Sequence, residues 1–182
     1  MSKDILNSNF FELFDQTVSF DVDLHKVQQS YMELQKQVHP DKFANASDQE
    51  KRISMQRTSW LNEALTTLKN PVSRATYLLK LKGLDINLEN ETTMDAAFLM
   101  QQLEIREKLE NIKDNADPLA ALDVLAGEIK NTSNAMMQGF SQSYENDDLD
   151  DAREWIRKLQ FLEKAKNEVN ALTATLEDEL MG

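Results

Sequence analysis

The sequence predicts an all-α protein built from two modules. Four glycines and three prolines in 182 residues are too few for a turn-rich β fold. Leu, Ala, Glu, Lys and Gln dominate, and the apolar residues recur at spacings of three and four, the period of a helix with one buried face. No stretch carries the alternation of a strand. The charge divides the chain: residues 1–83 hold 11 Lys/Arg against 10 Asp/Glu, whereas residues 84–182 hold 9 against 22. A near-neutral module is therefore expected over 1–83 and an acidic one over 84–182, with different partners. The acidic half is a poor nucleic-acid binder, because phosphates demand a positive face. There is no apolar run of the roughly 20 residues that a membrane span needs. The N-terminus lacks the basic and apolar regions of a signal peptide. With no cysteine, disulfides and thiolate metal sites are excluded, which suits a cytoplasmic protein.

The elements follow in order. Phe10, Phe11, Leu13 and Phe14 form a segment too short to be helical alone, so it must dock on its neighbours, covering a helix seam. Asp23 is the N-cap of a helix whose stripe is Leu24, Val27, Tyr31, Leu34 and Val38. His39-Pro40 ends it, since proline disfavours helical geometry in the residue before it. Ser47-Asp48-Gln49-Glu50 has the form of a capping box and opens a second helix with Ile53, Arg57, Trp60, Leu61, Ala64 and Leu68 on one side. Joined by about nine residues, the two helices are expected to lie antiparallel. Asn70-Pro71 breaks the second helix, residues 72–82 resume, and Gly83 stops them.

In the second module, Thr92 or Thr93 is expected to cap a helix running to about Lys113. Asp117-Pro118 starts another, through Leu122, Leu125, Ala126, Ile129, Met136, Met137 and Phe140. Asn146-Asp147-Asp148 separates it from a last helix bearing Ala152, Trp155, Ile156, Leu159, Leu162, Val169, Leu172, Leu176 and Leu180. Three long helices with short connections predict an antiparallel three-helix bundle.

Two places point to function. The first is Val38-His39-Pro40-Asp41-Lys42-Phe43, between the antiparallel helices. A lone His-Pro pair reads better as a plain helix–helix turn whose polar residues satisfy backbone groups. Set between these helices and behind a Phe-rich segment, His39-Pro40-Asp41 resembles the signature of the J domain, the module of the DnaJ class of co-chaperones, over residues 9–80. The resemblance implies a helical hairpin with flanking short helices that docks on a DnaK-type chaperone and accelerates its ATP hydrolysis. His39, Pro40 and Asp41 would carry that stimulation, with Asp41 accepting from a cationic partner group. Two features depart from the family pattern: Val38 replaces the usual aromatic, and of the usual basic residues only Lys26 and Lys36, with Lys42 in the loop, are present. Docking should accordingly be weak, less salt-sensitive, or directed at a specialised chaperone.

The second place is the helix over 95–112. At 100° per residue, Phe98, Ile105, Leu109 and Ile112 share one face, while Ala96, Leu99, Met100, Leu103 and Glu107 fall nearly opposite, flanked by Glu104. Either both apolar faces are buried, or the second is an exposed patch edged by carboxylates that takes a partner. Phe161 points away from the stripe of its own helix and, if the first and last bundle helices are neighbours, can join that patch; it can equally pack on the first module or the middle helix.

Beyond the loop motif, Arg74-Ala75-Thr76-Tyr77-Leu78-Leu79, Ala97-Phe98-Leu99-Met100, Leu103-Glu104, Arg106-Glu107 and Arg157-Lys158-Leu159-Gln160-Phe161-Leu162 resemble the HscB family of iron–sulfur cluster assembly co-chaperones over nearly the full length. The resemblance implies two partners, the chaperone HscA and the scaffold protein IscU, the latter delivered to the former. It assigns HscA docking to His39, Pro40, Asp41, Lys42, Lys26 and Lys36, and scaffold binding to Leu99, Met100, Leu103, Glu104, Glu107 and Phe161. Some members carry an N-terminal cysteine-pair metal site; this cysteine-free chain cannot, and any cluster must ride on the scaffold. No catalytic set, cofactor or metal site is expected: His25 reads as a solvated helix residue, and the acidic run 145–151 lacks EF-hand spacing. A J-domain protein with another client, or a purely structural helical protein, are the alternative readings.

Overall fold

The computed structural model describes residues 5–86, 93 and 95–181. The described residues form α1 (Phe10–Leu13), α2 (Leu24–Val38), α3 (Asp48–Lys69), α4 (Pro71–Leu81), α5 (Ala96–Glu110), α6 (Pro118–Glu145) and α7 (Leu149–Met181), with 3-10 turns at Pro40–Phe43 and Ile112–Asp114. No strand occurs among them, and no described helix is long and apolar enough to cross a membrane. The chain divides into two compact units, 1–83 and 84–182.

In the first unit α2 and α3 make the antiparallel hairpin. Asp23 caps α2, its carboxylate accepting from the His25 and Lys26 N–H groups. The capping box of α3 forms as predicted, with Ser47 and Glu50 exchanging backbone hydrogen bonds. The stripe of α2 is narrower than expected. Val27, Leu34 and Val38 are buried, but Leu24, in the first turn, is exposed. On α3 the buried line is Ser54, Leu61, Ala64 and Leu68, so a serine heads it.

The four-residue α1 exists because both its end and its face are satisfied. Asn9 and Glu12 form a capping box. Phe10 stacks on Tyr77 with ring centroids 4.3 Å apart and meets Trp60 edge-on at 4.9 Å. Its N–H donates to the Tyr77 hydroxyl, whose pKa is pushed up by burial. The segment thus packs on α3 and α4 and is tied to α2 by the Ser30 hydroxyl, which donates to the Phe14 carbonyl. Arg74 is buried and joins α4 to the end of α3 by donating to the Leu68 carbonyl, with its guanidinium 4.8 Å over the Phe20 ring. Burial lowers its pKa while Asp21 opposes the shift. Gly83, at φ 85°, ends the unit in the left-handed region that glycine adopts freely.

The second unit is an antiparallel three-helix bundle. Pro118 occupies the first position of α6 behind the Asp117 cap. The turn to α7 places Asp147 at φ 61°, and Asp148 caps α7 by accepting from the Asp151 N–H. Leu122, Leu125, Ile129, Met136 and Phe140 of α6 interleave with Ile156, Leu159, Leu162, Val169 and Leu176 of α7 in the core. Leu180 leaves that core and is 75% exposed: α7 has 33 residues against 28 in α6, so its last turn outruns its partner. Midway, Gly139 lets the Trp155 indole lie against the α6 backbone; a Cβ there would sit 2.7 Å from the ring. The indole N–H donates to Asp151 at 3.0 Å.

The cap of α5 differs from expectation. Thr92 lies outside the described residues. Thr93 is not the cap either: Asp95 is, accepting from the Phe98 N–H at 3.1 Å. Thr93 supports it from behind, accepting from the Asp95 N–H and donating to Glu154. A carboxylate wins the position because it also pairs with Lys158 at 2.6 Å, which a hydroxyl could not do as strongly. The helix stops at Glu110, short of Lys113, where the Asn111 amide turns back onto the Glu107 carbonyl.

Gly139→Ala should cost about 1–3 kcal/mol from overpacking against Trp155, read as an earlier midpoint in urea unfolding followed by tryptophan fluorescence. The carboxyls of Asp95, Asp23 and Glu50 are all held below their ordinary values, chiefly by the hydrogen bonds from Lys158, from the Lys26 N–H and from Ser47 respectively. Each contributes stability that is present above the unfolded carboxyl pKa and lost as pH falls through the folded value. Thermal melts should therefore weaken on acidification through the carboxylate range, and Asp95→Asn should flatten that dependence.

Candidate functional site

The loop between α2 and α3 begins with a held carbonyl. Val38 ends α2, and its C=O accepts from the Ser54 hydroxyl at 2.6 Å and the Thr58 hydroxyl at 3.3 Å. Both donors belong to α3, so the loop's first peptide is tied to the opposite helix. The apolar pattern of α3 concealed these residues, because a serine and a threonine do not register as core. Pro40 follows with His39 in an extended conformation, φ −55° and ψ 130°, and a 3-10 turn closes over Pro40–Phe43 with the Lys42 N–H donating to the His39 carbonyl.

Within this turn the His39 Nδ1 accepts from the Asp41 N–H at 3.3 Å and lies 3.4 Å from the Asp41 carboxylate. The Asp41 side chain is 89% exposed and turned outward. Gln35, Lys36, His39 and Lys42 line one shallow depression, so two of the three selected lysines gather beside the histidine. Lys26 does not join them. It stands ten residues earlier on α2, about 15 Å along the helix, and pairs with Asp23 at 3.5 Å.

In the second unit, Phe98, Ile105, Leu109 and Ile112 are buried in the bundle. The opposite face of α5 is open: Leu99, Met100 and Leu103 are 37%, 60% and 53% exposed, and Glu104 and Glu107 are exposed beside them. Within the second unit, neither α6 nor α7 covers this face. Phe161 of α7 is half-buried and meets Phe98 edge-on, with ring centroids 5.8 Å apart. It therefore stands at the α5/α7 seam.

Lys158 sets this corner of the bundle. It is nearly buried, its ammonium pairs with the α5 cap Asp95, and it lies 4.9 Å over the Trp155 ring and 5.8 Å over the Phe98 ring. The ion pair and the two rings hold the first turn of α5, and with it Leu99 and Met100, against α7. Sequence reasoning missed Lys158 because a lysine on a helix normally reads as solvated.

Ser54→Ala should cost about 1–2 kcal/mol, since it leaves the buried Val38 carbonyl with only the longer Thr58 bond. The expected sign is lower stability together with faster amide exchange at Asp41 and Lys42. Unchanged exchange in a destabilised protein would mean that the serine does not stiffen the loop.

Comparison with known proteins agrees with this architecture. A family model described as the HSCB C-terminal oligomerisation domain matches residues 94–170. A "Co-chaperone protein HscB homolog" of Shewanella loihica is 44% identical over 164 residues, 88% of this chain and 95% of that protein. The homologue of Shewanella pealeana is 45% identical over 174 residues, 93% and 99% of the two chains. Among solved structures, the chaperone HscB from Vibrio cholerae superposes with a TM-score of 0.84 at 36% identity, covering 93% of this chain and 99% of that one. The human co-chaperone protein HscB superposes with a TM-score of 0.82 at 33% identity, covering 91% and 82%. With a J domain followed by a helical bundle, and with relatives of this similarity matched over almost their whole length, the chain belongs to the HscB family of co-chaperones and is not an enzyme.

Proposed function

We propose that this protein delivers an iron–sulfur cluster scaffold of the IscU type to a DnaK-type chaperone of the HscA type and stimulates that chaperone's ATPase, assisting the maturation of iron–sulfur proteins in the cytoplasm. The observation that carries this reading is the open face of α5, where Leu99, Met100 and Leu103 stand exposed beside two carboxylates. A bundle helix has no structural use for that face, and an apolar patch rimmed by charge is the form of a protein-binding site. In this reading Leu103 and Phe161 are the anchors, while Glu104 and Glu107 orient a partner that carries basic groups.

The J domain supplies the second contact. The loop held at the Val38 carbonyl presents Asp41 as an acceptor for a cationic group of the chaperone, the half-exposed His39 ring supplies a hydrogen bond or a packing face, and Lys36 and Lys42 face an acidic surface. Lys26 would act as a peripheral contact farther along α2. None of these groups does chemistry. They bias the conformation of the ATPase, and carrying client and stimulus on one chain raises the effective concentration of the client at the chaperone.

The decisive experiment is the steady-state ATPase rate of an HscA-type chaperone with this protein, with an IscU-type scaffold, and with both. Synergy is expected with the unaltered protein. Asp41→Asn should abolish stimulation while leaving scaffold binding intact, and Leu103→Ala with Phe161→Ala should remove the scaffold's contribution while leaving the basal stimulation. Stimulation that ignores the scaffold would move the reading to a J-domain co-chaperone with another client; no stimulation by the folded protein would sink it.

A further inference from the structure

The open face of α5 does not end at Glu107. In steps of 100° from Leu99, the side chains pass Leu103 and Glu107 to Glu104, Asn111 and Lys108, and there the surface drops into a groove between α5 and α6. Ile112 and Leu125 are its buried floor, Ala121 and Val124 form its α6 wall, and Glu104, Glu107 and Glu128 stand on its rim. Val124 is 63% exposed, an apolar side chain in the wall with no partner in the bundle core. Lys108 is the rim's one cation and is taken up by Glu128 at 2.5 Å, whereas the Glu104 and Glu107 carboxylates have no ion-pair partner among the described residues. The rim is thus left with a surplus of negative charge over an apolar bed. Glu104 and Glu107 belong both to the groove and to the α5 face, so the two surfaces are continuous.

We infer that the client held on the α5 face extends into this groove, seating an apolar side chain against Val124 and Ala121 while flanking Lys or Arg groups pair with Glu104 and Glu107. The inference rests on the function proposed above and adds α6 to the client surface. The occupant is a basic segment of the scaffold with one apolar anchor. An acidic or purely polar segment would leave the carboxylates repelled and the apolar wall wet.

The test is titration calorimetry of the full-length protein with a purified IscU-type scaffold at two salt concentrations. Val124→Asp is expected to raise the Kd about tenfold, and the milder Val124→Asn to raise it several-fold. Unchanged melting curves would show that the bundle survives, as expected for an exposed helix position. Binding weakened by Leu103→Ala but untouched by both Val124 variants would overturn the groove and leave the parent reading standing. No binding by the unaltered protein would overturn both. Self-association seen by sedimentation and lost in Val124→Asp, with scaffold affinity unchanged, would assign the groove to a second copy of this chain and overturn the inference.

Discussion

A helix packed against two neighbours can bury only about half of its circumference, and α5 carries apolar residues around more than that. This constraint governs the second unit. The bundle resolves it by burying Phe98, Ile105, Leu109 and Ile112 and leaving Leu99, Met100 and Leu103 outside. The choice is enforced by the corner at Lys158, where one ion pair and two aromatic rings hold the first turn of α5 against α7. A buried lysine is costly unless paired. Here the pairing carboxylate is also the helix cap, so one residue stabilises the α5 terminus and fixes which face looks outward.

The first unit solves a different problem, that of making a loop stiff without metal or disulfide. Proline restricts two residues of the connection, but restriction of φ alone does not place a loop. Two hydroxyls from α3 on the Val38 carbonyl do that, converting the end of α2 into a fixed point. From there His39 and Asp41 are organised locally, the histidine accepting from the Asp41 backbone and leaving the carboxylate outward. The site owes its outward charge to short-range geometry and its position to a contact sixteen residues away in sequence.

Much of this was legible beforehand because it rests on local rules. Helix period, capping boxes and proline placement are properties of adjacent residues, so α2, α3 and α6 and their caps Asp23, Ser47 and Asp117 could be named without coordinates. The errors fell where a long-range contact competes with a local preference. Thr93 is a sound local cap, yet Asp95 takes the role because Lys158 stands on α7 to receive it. Leu180 continues the stripe of its helix, yet it is exposed because α6 offers it no partner.

The sequence by itself therefore determined the class, the helices, the division of charge and the residues worth suspecting, since periodicity and turn chemistry depend only on neighbours along the chain. Only the tertiary structure decided that Ser54 and Thr58 hold the loop, that Lys158 anchors α5, that Phe161 meets Phe98, and that the second apolar face of α5 is open. Those outcomes depend on which helices become neighbours, and on the area each neighbour can cover, which no single helix encodes.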